Sequence, residues 1–166
     1  MKEADSTEFN EETEYPIIFK LRDLVDVNEL GGTMRLGAWE CNLKEGSIAH
    51  KVYEAAQTIS ERHRHRFEFN PEYRQELEKH GLVFSGISPD GKFVEIVELP
   101  KSEHPFFVGC QFHPEYKSKP LNVHPLFNSF VKAAWKNRVN SENLKEDIVA
   151  EPKAIDFKDK AKTVNN

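Results

Sequence analysis

Apolar residues in this chain come in short runs, and the period of each run predicts an element. The sharpest change lies at residues 106–115, FFVGCQFHPE, where an apolar, β-rich run stops at His-Pro-Glu. That pattern predicts a buried strand that delivers an imidazole and a carboxylate to the surface, two residues apart and so facing the same way, with Pro114 ending the ladder. Upstream, residues 15–19 form a short strand candidate. Residues 33–43, TMRLGAWECNL, alternate as a strand does after the flexible Gly31-Gly32 pair. Residues 21–30 are mixed and polar and predict no element, and residues 1–14 are an acidic, polar run whose role the pattern does not reveal.

Ser47 is placed to cap a short helix running to Ala56, with Ile48, Val52 and Ala55 or Ala56 on one face. Residues 59–70, ISERHRHRFEFN, read as extended, put Arg62, Arg64 and Arg66 on one side and His63, His65 and Phe67 on the other. Asn70 as cap, Pro71 in the first turn and Gly81 as terminator bound a further helix. Residues 82–87 and 92–99 flank Ser88-Pro89-Asp90-Gly91, which predicts a hairpin. A last amphipathic helix from His124-Pro125 to about Asn137 would lay Leu126, Phe130, Val131 and Ala134 on the sheet. From residue 138 onward large apolar residues thin out, so the reading is one domain over 1–137 and a disordered tail over 138–166.

Composition narrows the function classes. A chain of 166 residues suffices for one core, even at 31% charged residues and a mean hydropathy of -0.66. Its net charge of -5 argues against broad binding to nucleic acid or anionic membrane, both of which need a basic face. Apolar runs stay at strand length and the N-terminal stretch is polar, so neither a membrane span nor a secretory signal is expected and the compartment is read as cytoplasmic. Cys41 and Cys110 are far apart and read as reduced thiols. His63 and His65 lack a third ligand at metal-binding spacing and read as hydrogen-bonded structural histidines.

The candidate chemistry centres on His113 and Glu115. A carboxylate held on one ring nitrogen sets the tautomer of the other and stabilises the imidazolium, as activation of a Ser or Cys nucleophile requires. The same residues also fit a capped strand end with a solvated carboxylate. Three arginines on one face fit either an anion site or a solvated edge, and Arg35 fits either an interface or a salt bridge.

Taken together, GGTMRLG at 31–37, ERHRHRFEFN at 61–70, the hairpin VFSGISPDGKFVEIVEL, and HPFFVGCQFHPEYKSKP followed by HPLFNSFVKAA resemble the CTP synthase family. The likeness is to the later part of its class I glutamine amidotransferase domain and runs unbroken from about Ala4 to Ala134. It implies an α/β fold: a partial three-layer, flavodoxin-like domain with a mixed sheet and a hairpin. It also implies that His113 and Glu115 complete a Cys-His-Glu triad, that Arg66 holds the α-carboxylate of glutamine and that Glu8 contacts the same amino acid. The family's nucleophilic cysteine, on a tight glycine-flanked elbow, has no counterpart here. Cys110 should face away from His113, and Cys41 has no stronger claim. The resemblance therefore implies a chain inactive by itself, whose partners are glutamine, the missing amidotransferase half and a synthetase domain. It implies a homo-oligomer for the full enzyme, with ATP and magnesium belonging to the absent synthetase domain and no cofactor in this chain. Missing strands would leave an open sheet edge and an uncovered apolar face. The other reading is a non-catalytic module that binds glutamine or assembles with a full-length synthase.

Overall fold

The computed structural model describes residues 2–20 and 34–141; the stretch 21–33, including Gly31-Gly32, and most of the expected tail lie outside the described residues. Two sheets form the frame. A three-stranded sheet has the order β1-β2-β5, with β1 at Ala4–Ser6, β2 at Tyr15–Lys20 and β5 at Phe67–Phe69. A five-stranded sheet has the order β4-β3-β6-β7-β8, made by Thr58–His65, Arg35–Leu43, Val83–Ile87, Val94–Glu98 and Val108–Cys110. Among the described residues only β1 and β2 run parallel, and every pair in the larger sheet is antiparallel. The polar segment at the N-terminus thus contributes a strand that its composition gave no reason to expect.

Local chemistry accounts for most element boundaries. Ser47 accepts a hydrogen bond from the His50 N–H and starts α1, Ile48–Val52. This helix ends earlier than its apolar spacing predicts, because Glu54 and Ala55 take left-handed φ values of 56° and 62°. The Glu98 carboxylate on β7 also receives the Ile48 and Ala49 N–H groups at 2.7 and 3.0 Å, a cap supplied from 50 positions away. Asn70 caps Pro71–Tyr73, a 3-10 turn that leads into α2, Arg74–Lys79. The hairpin forms as predicted, with Gly91 at φ 78° and its N–H bonded to the Ser88 carbonyl.

The long extended stretch 59–70 is divided. Its alternation holds through β4, with the arginines exposed and His63 buried. At Arg66 the chain crosses to the other sheet and continues as β5. The last helix, α3, spans Pro125–Ser141, past the expected end at Asn137. Its packing differs from the expectation. Leu126 is buried, but Phe130 and Val131 are 56% and 62% exposed, and the helix lies against α1 through the side that carries Ser129 and Ala133. A stripe can be read from spacing, but the surface that covers it cannot.

Two offsets shape the central hairpin. Phe84 pairs with Val97, Gly86 with Ile96 and Ile87 with Val94, so Ser85 and Glu95 are each an extra residue in a bulge. Ile96 consequently joins the cluster of Cys41, Ala49, Phe112 and Leu126 under α1 and α3, while Val94 joins Phe69 and Phe84 under β2 and α2. Gly86 lies where the first cluster closes: a Cβ there would come within 2.7 Å of both Cys41 Sγ and Ile96 Cγ1.

The second bulge aims Glu95 at Arg35, whose side chain is fully buried. Arg35 bonds Glu68 on β5 at 3.0 Å and also Glu95 on β7, and its guanidinium lies 4.6 Å from the ring centres of Trp39 and Phe93. The sequence left Arg35 open between an interface and a salt bridge, and here it is a buried ion pair. Burial pushes the Glu68 carboxyl up to about 7, since one guanidinium cannot neutralise two carboxylates. Glu95 is raised by the same desolvation.

His63 and His65 extend this cluster. The Phe67 carbonyl can only accept, so His65 Nδ1 donates to it at 3.1 Å; His65 Nε2 then accepts from His63 Nδ1 at 2.8 Å. Burial, reinforced by Arg35, holds His63 down to about 3 and His65 down to about 4. Both are neutral, hydrogen-bonded histidines.

Two predictions follow from this packing. Gly86→Ala should destabilise the fold by about 1–3 kcal/mol through overpacking; urea unfolding measures it, and a change near zero would contradict the close approach. The depressed His65 is neutral when folded and protonated when unfolded below about pH 6.5, so its contribution is full above that pH and disappears as pH falls through about 4. The wild type should lose stability relative to His65→Gln by roughly 1 kcal/mol per pH unit over that window. Glu68 has the opposite sign: its contribution is present below about 4.5 and is lost as pH rises through about 7. A stability difference between wild type and His65→Gln that does not vary with pH would refute the assignment.

Candidate active site

The site is built where the two edges of the larger sheet meet. β3 pairs with β4 over eight residues, from Arg35 to Asn42, but with β6 only at Asn42 and Leu43. The β3–β4 hairpin can therefore swing away from β6 and curl the sheet. Beyond β8 the chain stays close to it: the Gln111 N–H donates to the Glu95 carbonyl, and the His113 N–H donates to the Arg62 carbonyl on β4 at 2.8 Å. The regular strand stops at Cys110, short of the predicted run, and His113 is held by this cross-edge bond.

His113 Nδ1 and Glu115 Oε1 lie 2.7 Å apart. The pairing is brought about differently from the expectation of two residues facing the same way on a strand. Pro114–Tyr116 is a 3-10 turn, and its curvature brings the carboxylate back to the ring. The hydrogen bond from His113 holds the Glu115 carboxyl below the usual carboxylate range. With Nδ1 committed to Glu115, Nε2 is the nitrogen left to exchange a proton with a reacting group. The side chains are 36% and 52% exposed, so the pair is open to a ligand.

Neighbouring groups fix the turn. Tyr116 stacks on the His113 ring, with centroids 4.8 Å apart and planes inclined at 13°. Lys117 Nζ donates to the Ser60 carbonyl at 2.6 Å and lies 3.4 Å from Glu61. Glu61 is buried and meets His124 at 3.1 Å and the Tyr53 hydroxyl at 3.1 Å, which ties β4 to the start of α3 and the end of α1. Burial pushes the Glu61 carboxyl up, but His124, Lys117 and Tyr53 together hold it below its ordinary value. Sequence reasoning did not find these supports. The available signal for Glu61 was its place in the alternation of ERHRHRFEF, on the same side of the strand as His63.

Glu8 and Arg66 are exposed and are not bonded to the His113–Glu115 pair among the described residues. Register nonetheless places them at one end of the small sheet. Ser6 is level with Ile18 and Phe67 with Lys20, so Glu8, two residues on, and Arg66, one residue before, both lie where β2 finishes. Neither cysteine is disposed as a nucleophile: Cys41 is buried, Cys110 is half-buried with its thiol directed at the Phe112 carbonyl, and burial pushes both up to about 12. Among the described residues no group of three or more His, Cys, Asp or Glu is arranged to hold a metal ion. Nor, among them, is any helix long and apolar enough to cross a membrane.

The CTP synthase of Koribacter versatilis is 55% identical over 146 residues, covering 88% of this chain and 26% of that protein. The CTP synthase of Acidobacterium capsulatum is 59% identical over 134 residues, covering 81% and 24%. The chain thus spans about a quarter of the length of these relatives. Among solved structures, the Trypanosoma brucei CTPS glutaminase domain with bound acivicin superposes with a TM-score of 0.71 at 33% identity, covering 89% of this chain and 53% of that one. The α/β arrangement described above is accordingly a class I glutamine amidotransferase fold. Residues 11–133 match the family described as Glutamine amidotransferase class-I, and the chain belongs to that family.

Proposed function

We propose that this chain is the His–Glu half of a glutaminase site that delivers ammonia from glutamine to a synthetase domain, for the ATP-dependent conversion of UTP to CTP. The observation that supports the reading most directly is the 2.7 Å bond between His113 Nδ1 and Glu115 Oε1, with the imidazole held by backbone at Arg62 and by the Tyr116 ring. In this reading a cysteine outside this chain gives its thiol proton to His113 Nε2 and attacks the side-chain amide carbon of glutamine. His113 returns the proton to the leaving nitrogen, so that ammonia departs and a thioester remains. Water, deprotonated by the same nitrogen, then releases glutamate and restores the thiol. Glu115 orients the ring and stabilises the imidazolium without taking its proton.

Arg66 and Glu8 are proposed to receive the α-carboxylate and the ammonium group of glutamine, a planar fork for one and a carboxylate for the other. Their common position at the end of the small sheet supports this division. ATP and magnesium are proposed to belong to a synthetase domain outside this chain. The free thiols of Cys41 and Cys110 are in keeping with a cytoplasmic enzyme, and the full assembly is proposed to be a homo-oligomer.

The test is ammonia release from glutamine. The 166-residue chain alone should show none, because it lacks an accessible, activated thiol. Combined with a cysteine-bearing amidotransferase half it should release ammonia, and His113→Ala in that mixture should lower kcat by about two to four orders of magnitude. Full activity in the His113→Ala mixture would overturn the proposal. Glutamine binding with no turnover in any combination would favour the non-catalytic module.

A further inference from the structure

We propose that the basic groove between α1, α3 and residues 101–106 is a docking site for an acidic segment of this same chain, residues 142–151, which leave the end of α3 and turn back along it. The inference uses none of the residues assigned to glutamine chemistry, so it stands or falls separately from the glutaminase reading.

The groove combines apolar surface with a cationic rim. It has a volume of about 740 Å³, and Ile48, Val52, Phe106 and Ala133 contribute its apolar lining. Lys51 comes to it from α1, Lys101 from the segment ahead of β8, and Lys132 and Lys136 from α3, against one carboxylate, that of Glu54. Such a concentration of one sign stands out in a chain whose net charge is -5. All four lysines are exposed, and among the described residues none of their ammonium groups has a hydrogen-bond or ion-pair partner. Lys132 and Lys136 stand one turn apart on α3 and repel each other, a cost that an anion between them relieves. The groove therefore fits a partner that carries both carboxylates and aliphatic side chains.

Residues 142–151 have that chemistry. They read ENLKEDIVAE, in which Glu142, Glu146, Asp147 and Glu151 outnumber the single Lys145. Four carboxylates and one lysine thus face four lysines and one carboxylate in the groove. Leu144, Ile148 and Val149 supply the aliphatic side chains, and Pro152 closes the run. Attachment favours the match as well. The helix ends at Ser141, and Asn140, the residue before it, already lines the groove. From Asn128 to Asn140 the helix covers about 18 Å, whereas ten extended residues reach at most about 35 Å. The segment can turn at the end of α3 and still run the length of that wall. Because it is tethered there, its effective concentration is on the order of millimolar, and modest ion pairing suffices to seat it.

Other occupants fit less well. The acidic run at the N-terminus is already committed, since β1 pairs with β2, the Thr13 hydroxyl donates to the Glu3 carbonyl and Lys20 holds Glu11. A small phosphate-like anion would satisfy the lysines but leave the apolar lining in water. The same segment from a second copy lacks the advantage of the tether. The exposed ridge of Phe127, Val131 and Trp135 runs along a different side of α3 and offers no charge to an acidic segment.

The test uses the full 166-residue chain as a mixture of isotope-labelled and unlabelled protein. Carbodiimide cross-linking, read by mass spectrometry, should join Lys51 or Lys101 to Glu146, Asp147 or Glu151 within one chain. Amide exchange over residues 142–151 should be slowed roughly tenfold or more relative to a free peptide of the same sequence. Lys51→Glu with Lys101→Glu should abolish that protection while melting like the wild type, since both side chains are exposed. Adding Glu146→Lys and Glu151→Lys to that pair should restore it, because the charges are then exchanged rather than lost. Cross-links confined to labelled–unlabelled pairs would overturn the proposal in favour of a second copy. Residues 142–151 that exchange freely while inorganic phosphate protects the groove lysines from acetylation would overturn it in favour of a small anion. Protection indifferent to charge reversal, or no cross-link from Lys51 and Lys101, would overturn it outright. Ammonia release enters none of these readouts, so a failure of the glutaminase reading leaves this test intact.

Discussion

The fold depends on one buried cation. Arg35 lies under both sheets and joins β3 to Glu68 on β5 and to Glu95 on β7, so the two sheets share a charge that neither could bury alone. Removing a guanidinium from water is costly, and the arrangement holds because carboxylates and aromatic faces replace the lost hydration on several sides. Removing one partner would strand the others, which makes the cluster a strong constraint on how the layers may sit. The bulge that turns Glu95 inward is part of the same requirement: regular pairing would have placed a different residue toward Arg35.

That constraint positions the candidate site. His63 faces Arg35's cluster from the inner side of β4, and Arg62, its neighbour, offers its carbonyl outward to His113. The strand whose inner side is held by the buried charges therefore supplies the outer contact for the imidazole. Lys117 and Glu61 repeat the connection one step along the strand. The His113–Glu115 pair is thus a surface feature mounted on a rigid, polar interior, and a side chain must be held in this way to present one nitrogen in a fixed direction.

Much of this is legible in the sequence. The cap at Ser47, the Asn70-Pro71 helix start, the hairpin and the alternation of arginines with histidines are encoded within a few residues of where they act. Local spacing also brought His113 and Glu115 together, although a 3-10 turn and not an extended strand accomplishes it. The motifs at 61–70 and 106–115 pointed to the amidotransferase family because they combine unusual residue types at short range. What escaped notice was long-range by nature. Glu98 as the cap of α1, Glu68 and Glu95 as counterions, and Glu61 with His124 and Tyr53 all depend on elements that meet only after folding.

The last helix shows the division most clearly. Its apolar stripe was plain from the spacing of Leu126, Phe130, Val131 and Ala134, and the sequence alone determined that a helix with one greasy side would form. Which neighbour meets which side is a property of the whole assembly, and here α1 takes the small and polar side while the aromatic ridge faces outward. Periodicity records that a residue prefers to leave water. Only the tertiary structure decides what surface is there to receive it.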